Sequence, residues 1–270
     1  MSRVARACLA GALVALPTAA LLAILAQLGL AGAWAAMVHL MLFGWITGMI
    51  LAINYHTVPM FAARDFPYPA LGSAHVLSWC CGVVLYCAAL LTGWGAGALA
   101  GLAIQLLAAL LFAANTVLLF TRGAARANRP PVPPIAGQPQ VDRVGTQATR
   151  GAGMALPLAL LLLLLEQLGL LGGEWRLAAE HLVTLGWIML MIVGVAYHVL
   201  PRFSGTGTRG LVWARVQLAC HYSALLLIVL GLGLGWPWFF AIGAALMALA
   251  LALFAWAIWP TLRFQLALSR

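Results

Sequence analysis

The chain has 270 residues, 65% of them hydrophobic and only 7% charged, with a mean hydropathy of +1.05. That composition excludes a soluble domain and points to a polytopic membrane protein. The net charge of +9 comes from fourteen arginines and no lysine, scattered over short segments; they form no single basic stripe, so no nucleic-acid partner is expected.

In chain order, apolar runs long enough to cross a bilayer fall near residues 9–29, 36–60, 71–92, 97–120, 152–171, 178–201, 211–234 and 237–259. A segment in lipid must satisfy its own backbone groups, so each run is expected as a helix. The first run follows Arg3 and Arg6 and has the outline of a signal peptide. However, LLAILAQLGL at 21–30 matches LLLLLEQLGL at 161–170 in an internal span. The first run is therefore expected to stay as a working helix.

Residues 122–150 form the one long polar stretch, rich in Pro, Arg and Gln. They read as a flexible cytoplasmic linker between a first four-helix repeat, 1–121, and a second, 151–270. With eight spans, thirteen arginines fall on one side and only Arg176 on the other. The positive-inside rule makes the crowded side cytoplasmic, with both termini there. Four crossings return the chain to its starting side, so the repeats are expected to run parallel.

The duplication is clearest in HLMLFGWITGMILAINYHTVP, residues 39–59, and HLVTLGWIMLMIVGVAYHVLP, residues 181–201. Extended to 39–61 and 181–203, eleven of twenty-three positions are identical. Each copy opens on a histidine and ends on Tyr-His-x-x-Pro. Seventeen residues of α-helix rise about 25 Å, so His39 and His56 are expected near opposite membrane faces and cannot share a metal. The same holds for His181 and His198. Parallel repeats put His39 level with His181, and His56 level with His198.

Two imidazoles at one depth suit axial ligation of haem b, with Gly44, Gly48, Gly186 and Gly194 leaving room for a porphyrin. One haem is expected at His39 and His181, and a second haem or a metal ion at His56 and His198. A helix kink at Pro59 and Pro201 would turn that second pair toward the third and seventh spans. Those spans carry His75 and His221, the remaining metal-ligand candidates. Met37 and Met41 bracket His39 with soft thioethers suited to copper(I). Arg176, with Trp34 and Trp175, could meet haem propionates. The cysteines form no C-x-x-C, which gives a disulfide or zinc framework no support.

At these residues the chain resembles a family. HLMLFGW, with its small residues and following proline, resembles the signature helix of the NnrS family of denitrifier membrane haem–copper proteins. HLVTLGWIMLMIVGVAYHVLPRFSG is similar to inner helices of the catalytic subunit of haem–copper oxidases and nitric oxide reductases, short cbb3-type relatives above all. The resemblance covers about a quarter of the chain. It implies two four-helix arcs of a fold usually built from three, with His39 and His181 in the haem-ligand role. It also implies a bacterial-type cytoplasmic membrane, a quinol or cytochrome electron donor and respiratory-chain partner subunits. The chain has no His-His pair, no His-x-His and no third arc, which argues against a complete terminal oxidase; an oxidoreductase component stays open. The leading expectation is a b-type haem protein for electron transfer or for handling nitric oxide or another diatomic gas. The alternatives are a copper or haem transporter, and a non-catalytic assembly partner of a respiratory oxidase.

Overall fold

A computed structural model describes residues 1–125 and 135–268, with side chains as far as Leu262. Eight long helices account for it: α1 Arg3–Gln27, α2 Ala33–Ala62, α3 Pro69–Thr92, α4 Gly95–Arg122, α5 Gln138–Gln167, α6 Trp175–Ser204, α7 Leu211–Gly233 and α8 Pro237–Leu268. Every one is long and apolar enough to cross a membrane, and the described residues include no strand. The fold is that of an all-α, multi-pass membrane protein.

The helices match the apolar runs in order and place, with one clear difference. α5 begins at Gln138, inside the stretch expected to be a flexible linker. Residues 126–134 of that stretch, Arg126 and Arg129 among them, lie outside the described residues. At 1.5 Å per residue, the 30 residues of α5 run about 45 Å, well beyond the roughly 30 Å of hydrocarbon. Its polar first turns therefore extend past the apolar layer. Tertiary bonds from Asp142 to α6, described below, supply what the local sequence pattern lacks.

The chain divides into two compact units: Met1–Pro130 with Leu163–Leu170, and Pro131–Leu162 with Leu171–Arg270. The two have the same internal design. The shift that carries His39 onto His181 also carries the α3–α4 turn onto the α7–α8 turn. Gly93 and Gly235 both adopt left-handed backbone, at φ 70° and 66°. Beyond them, the amide of Trp94 donates to the Ala89 carbonyl and that of Trp236 to the Gly231 carbonyl, at 3.0 and 2.8 Å. Each helix pair then packs through a glycine. A Cβ on Gly101 would lie 2.7 Å from the Tyr86 amide nitrogen, and one on Gly243 2.9 Å from that of Ile228. Backbones this close require small residues, the usual means of helix association in lipid.

α2 and α6 share a feature with no compositional signature. Immediately after the histidine, each changes from α- to π-helical hydrogen bonding, over Leu40–Ile46 and Leu182–Met189, and then returns to α. A π segment widens the turn by one residue and so changes the angular register of everything beyond it. The 100° per residue of a regular α-helix does not carry across it. Pro59 and Pro201, expected as kinks, sit in the last turns of helices that run on to Ala62 and Ser204.

Candidate functional site

In the first unit His39 is 5% exposed and fully engaged. Its Nε2 lies 3.0 Å from Gln105 Oε1 on α4. Its ring stacks on Phe43 at 4.2 Å and meets Tyr86 at 4.4 Å. The Gln105 amide donates on to the carbonyls of Gly82 and Gly101, at 3.2 and 3.4 Å. Nε2 is therefore bonded within the unit, with Phe43 stacked on the ring and Tyr86 tilted against it.

His181, its counterpart, sits differently. The shift that relates the units replaces Phe43, Tyr86 and Gln105 with Leu185, Ile228 and Met247. None of these supplies a hydrogen-bonding side chain. His181 Nδ1 lies 2.9 Å from the Leu177 carbonyl one turn back. A carbonyl only accepts, so Nδ1 carries the proton and the neutral ring keeps its lone pair on Nε2. Holding the other ring nitrogen in this way fixes the tautomer and orientation of an iron- or zinc-ligating histidine. His181 is partly exposed. Nearby Arg176 pairs with Glu180 at 3.5 Å along the same helix.

The glycines expected to make room for a porphyrin are occupied by neighbouring helices. A Cβ on Gly44 would meet Ala15 at 3.0 Å, and one on Gly186 would meet Ala155 at 2.9 Å. Gly48 faces Ala12 at 3.0 Å, and Gly194 faces Thr149 and the Gly145 carbonyl at 2.5 and 2.7 Å. These glycines let α2 and α6 approach α1 and α5.

At the other end of the two histidine helices, the tyrosine and not the histidine turns inward. Tyr55 Oη lies 3.1 Å from His75 Nδ1, and the Asn115 amide reaches Tyr55 Oη at 3.5 Å. In the second unit the Tyr197 hydroxyl donates to Gln217 Oε1 at 3.3 Å. Phe112 and Phe254 cap these tyrosine rings edge-on, each at 5.6 Å. One residue further is about 100° further round the helix. His56 is accordingly exposed and does not join His75. His198 turns to α5 and does not join His221.

Around His198 a charged cluster ties α5 to α6. His198 Nδ1 donates to Asp142 Oδ1 at 3.0 Å, and its Nε2 lies 3.4 Å from Thr146 Oγ1. The Arg202 guanidinium grips the same carboxylate with two nitrogens, at 3.0 and 2.7 Å. It also donates to the His198 carbonyl. Gln138 adds a bond to Asp142 at 2.8 Å and one to the Tyr197 carbonyl at 2.9 Å. The sequence held Asp142 and Arg202 in plain view, but their separation by sixty residues gave no local signal.

His75 and His221, the remaining metal-ligand candidates, do not stand at equivalent positions. The shift relating the units places Gln217 on His75 and His221 on Trp79. The geometry agrees. Trp79 Nε1 donates to the Phe43 carbonyl at 3.1 Å and His221 Nε2 to the Leu185 carbonyl at 2.9 Å. Both acceptors lie within the π segments, fourth after the histidine. Among the described residues no three His, Cys, Asp or Glu side chains gather as a metal-holding group. No family model matches the chain, and neither does any curated protein.

Proposed function

We propose that the chain is a b-type haem-binding protein of a bacterial cytoplasmic membrane, with His181 supplying the axial nitrogen and both termini on the cytoplasmic side. The observation that carries this reading is the bond from His181 Nδ1–H to the Leu177 carbonyl at 2.9 Å, which leaves Nε2 as the ring's lone-pair donor. Its place at the α-to-π junction of α6 supports the reading, because π segments recur at functional sites. Haem held by one histidine would keep a second axial position for a diatomic gas such as nitric oxide, whereas two histidines would favour electron transfer alone. The packed state of His39 favours the gas-handling form.

The test is a dithionite-reduced minus oxidised spectrum of the purified protein, with haem quantified and carbon monoxide added. The parent is expected to hold haem and to shift its Soret band with carbon monoxide. His181→Ala is expected to lose the haem, and His39→Ala to keep it. Haem-free parent protein, or equal loss from both variants, overturns the assignment.

A second reading, a non-catalytic assembly partner of a respiratory complex, draws on one observation. His39, His75, His198 and His221 each hydrogen-bond within the protein. It predicts haem-free protein that co-purifies with respiratory subunits and tolerates His181→Ala.

A further inference from the structure

We propose that the second unit binds one water molecule between Gln217 and His221, two residues four apart on α7. Both are fully buried, at 0% exposure. Both already use one polar atom on α6: Gln217 Oε1 accepts from the Tyr197 hydroxyl, and His221 Nε2 bonds the Leu185 carbonyl. Each is left with one buried nitrogen that has no partner among the described residues, Gln217 Nε2 and His221 Nδ1.

The chemistry of these two atoms is fixed by their neighbours. The Leu185 carbonyl only accepts, so His221 carries its proton on Nε2 and offers a lone pair at Nδ1. Gln217 takes the tyrosine proton on its oxygen, so its nitrogen is a donor. A buried donor and a buried acceptor left open are each costly, because both have lost their bonds to water without replacement. Residues at i and i+4 share a helix face, about 5–6 Å apart at Cβ. The ligand must therefore accept from one group and donate to the other, and must be small and uncharged. A cation finds one acceptor and an anion one donor, too few to offset desolvation. Water meets all these requirements, and interior waters of this kind are a regular part of folded proteins.

With that water, one directed chain of hydrogen bonds runs from the Tyr197 hydroxyl through Gln217, the water and His221 to the Leu185 carbonyl. It follows α6 for twelve residues, about 18 Å, and ends in the π segment that begins directly after His181. All its donors point the same way, so its bonds polarise one another. The first unit does not repeat this arrangement. His75 and Trp79 stand at the equivalent positions, and the indole has one N–H, already used on Phe43, and no acceptor.

The test is a map of the full-length protein in lipid nanodiscs at about 2 Å. The expected result is a solvent peak about 2.7–3.2 Å from both Gln217 Nε2 and His221 Nδ1. Two variants check the assignment. Gln217→Met keeps the volume and removes the donor. His221→Gln keeps a nitrogen for Leu185 and removes the ring acceptor. Both are expected to lose the peak. No peak in the parent, a direct bond from Gln217 to His221, or a peak that persists in either variant overturns the proposal. Should a variant fail to fold, the parent map decides alone.

Discussion

In the first unit the carboxamide of Gln105 holds His39, and the polar groups bonded inside it, Tyr55, His75, Asn115 and Gln105, include no carboxylate and no guanidinium. In the second unit Met247 replaces Gln105, and a carboxylate, a guanidinium and an imidazole converge near the far end of α6. What repeats is the backbone: the turn glycines, the glycine–alanine approaches and the ring N–H latched to a π-segment carbonyl. Packing requirements are met twice in the same way, while hydrogen-bonding side chains have diverged. The latch shows the difference well. Trp79 and His221 place an N–H on the same carbonyl, and only the histidine has a second nitrogen left to act with.

The largest expected break of this comparison is Asp142→Ala. It removes the acceptor shared by Arg202, His198 and Gln138 and leaves a partly buried guanidinium, 19% exposed, without its carboxylate. Losing one partner of a largely buried pair costs about 3 kcal/mol or more. In the α1–α5 register set by the match of 21–30 with 161–170, the equivalent position of the first unit is Ser2, whose side chain caps α1 through the Ala5 amide at 3.1 Å. Ser2→Ala should cost about 1 kcal/mol, as a lost helix cap does. Thermal unfolding in detergent, compared across the two variants, checks the ratio; equal falls in melting temperature would mean that the charged cluster contributes nothing beyond a cap.

The next effect in size concerns the histidine that opens each repeat. Gln105→Leu removes the bond to His39 and the two bonds that anchor the amide to α3 and α4. About 2 kcal/mol is expected, in the range for buried hydrogen bonds lost together. Met247→Leu at the equivalent site is a volume-conserving apolar change and should cost less than about 1.5 kcal/mol. The same melting series reads both. If the glutamine variant melts no lower than the methionine variant, the carboxamide is not what holds His39.

These contrasts also mark how far the sequence could be read. The eight helices were legible because backbone in lipid has nowhere else to place its N–H and C=O groups, and length and hydropathy suffice to find such segments. The duplication was legible in the identities from His39 to Phe61. The start of α5 was not, since its polar turns are held by Asp142 reaching Arg202, a contact between distant positions. Nor were the π segments, because Leu40–Ile46 and Leu182–Met189 contain nothing that distinguishes them from ordinary apolar helix. The kink expected at Pro59 and Pro201 to turn His56 and His198 toward the third and seventh spans falls in the last turns of unbroken helices. The inward-facing residue proved to be the tyrosine beside each. That His221 answers to Trp79 and not to His75 is likewise an offset of one helical turn, visible only in the bond that Trp79 and His221 both make.

The smallest predicted effect lies at the end of the histidine helices. Ala63 and Gly205 follow α2 and α6 at equivalent positions, and both adopt left-handed backbone, at φ 50° and 68°. A Cβ in that region costs roughly 1–2 kcal/mol, whereas glycine adopts it freely. Ala63→Gly relieves that strain but gives the unfolded chain more freedom to lose, which offsets about half of the gain. The net expectation is a stabilisation of at most about 0.5 kcal/mol. Gly205→Ala runs the same change in reverse and should destabilise by a similar amount. A Cβ on Gly205 meets nothing within 4 Å, so no steric clash enters there, whereas the Ala63 methyl is buried and its loss works against the gain. Opposite shifts of a degree or two in melting temperature would place both helix ends under one conformational rule. Shifts of the same sign would show that the loops beyond Ala63 and Gly205, and not the φ angle, set the stability of these helix ends.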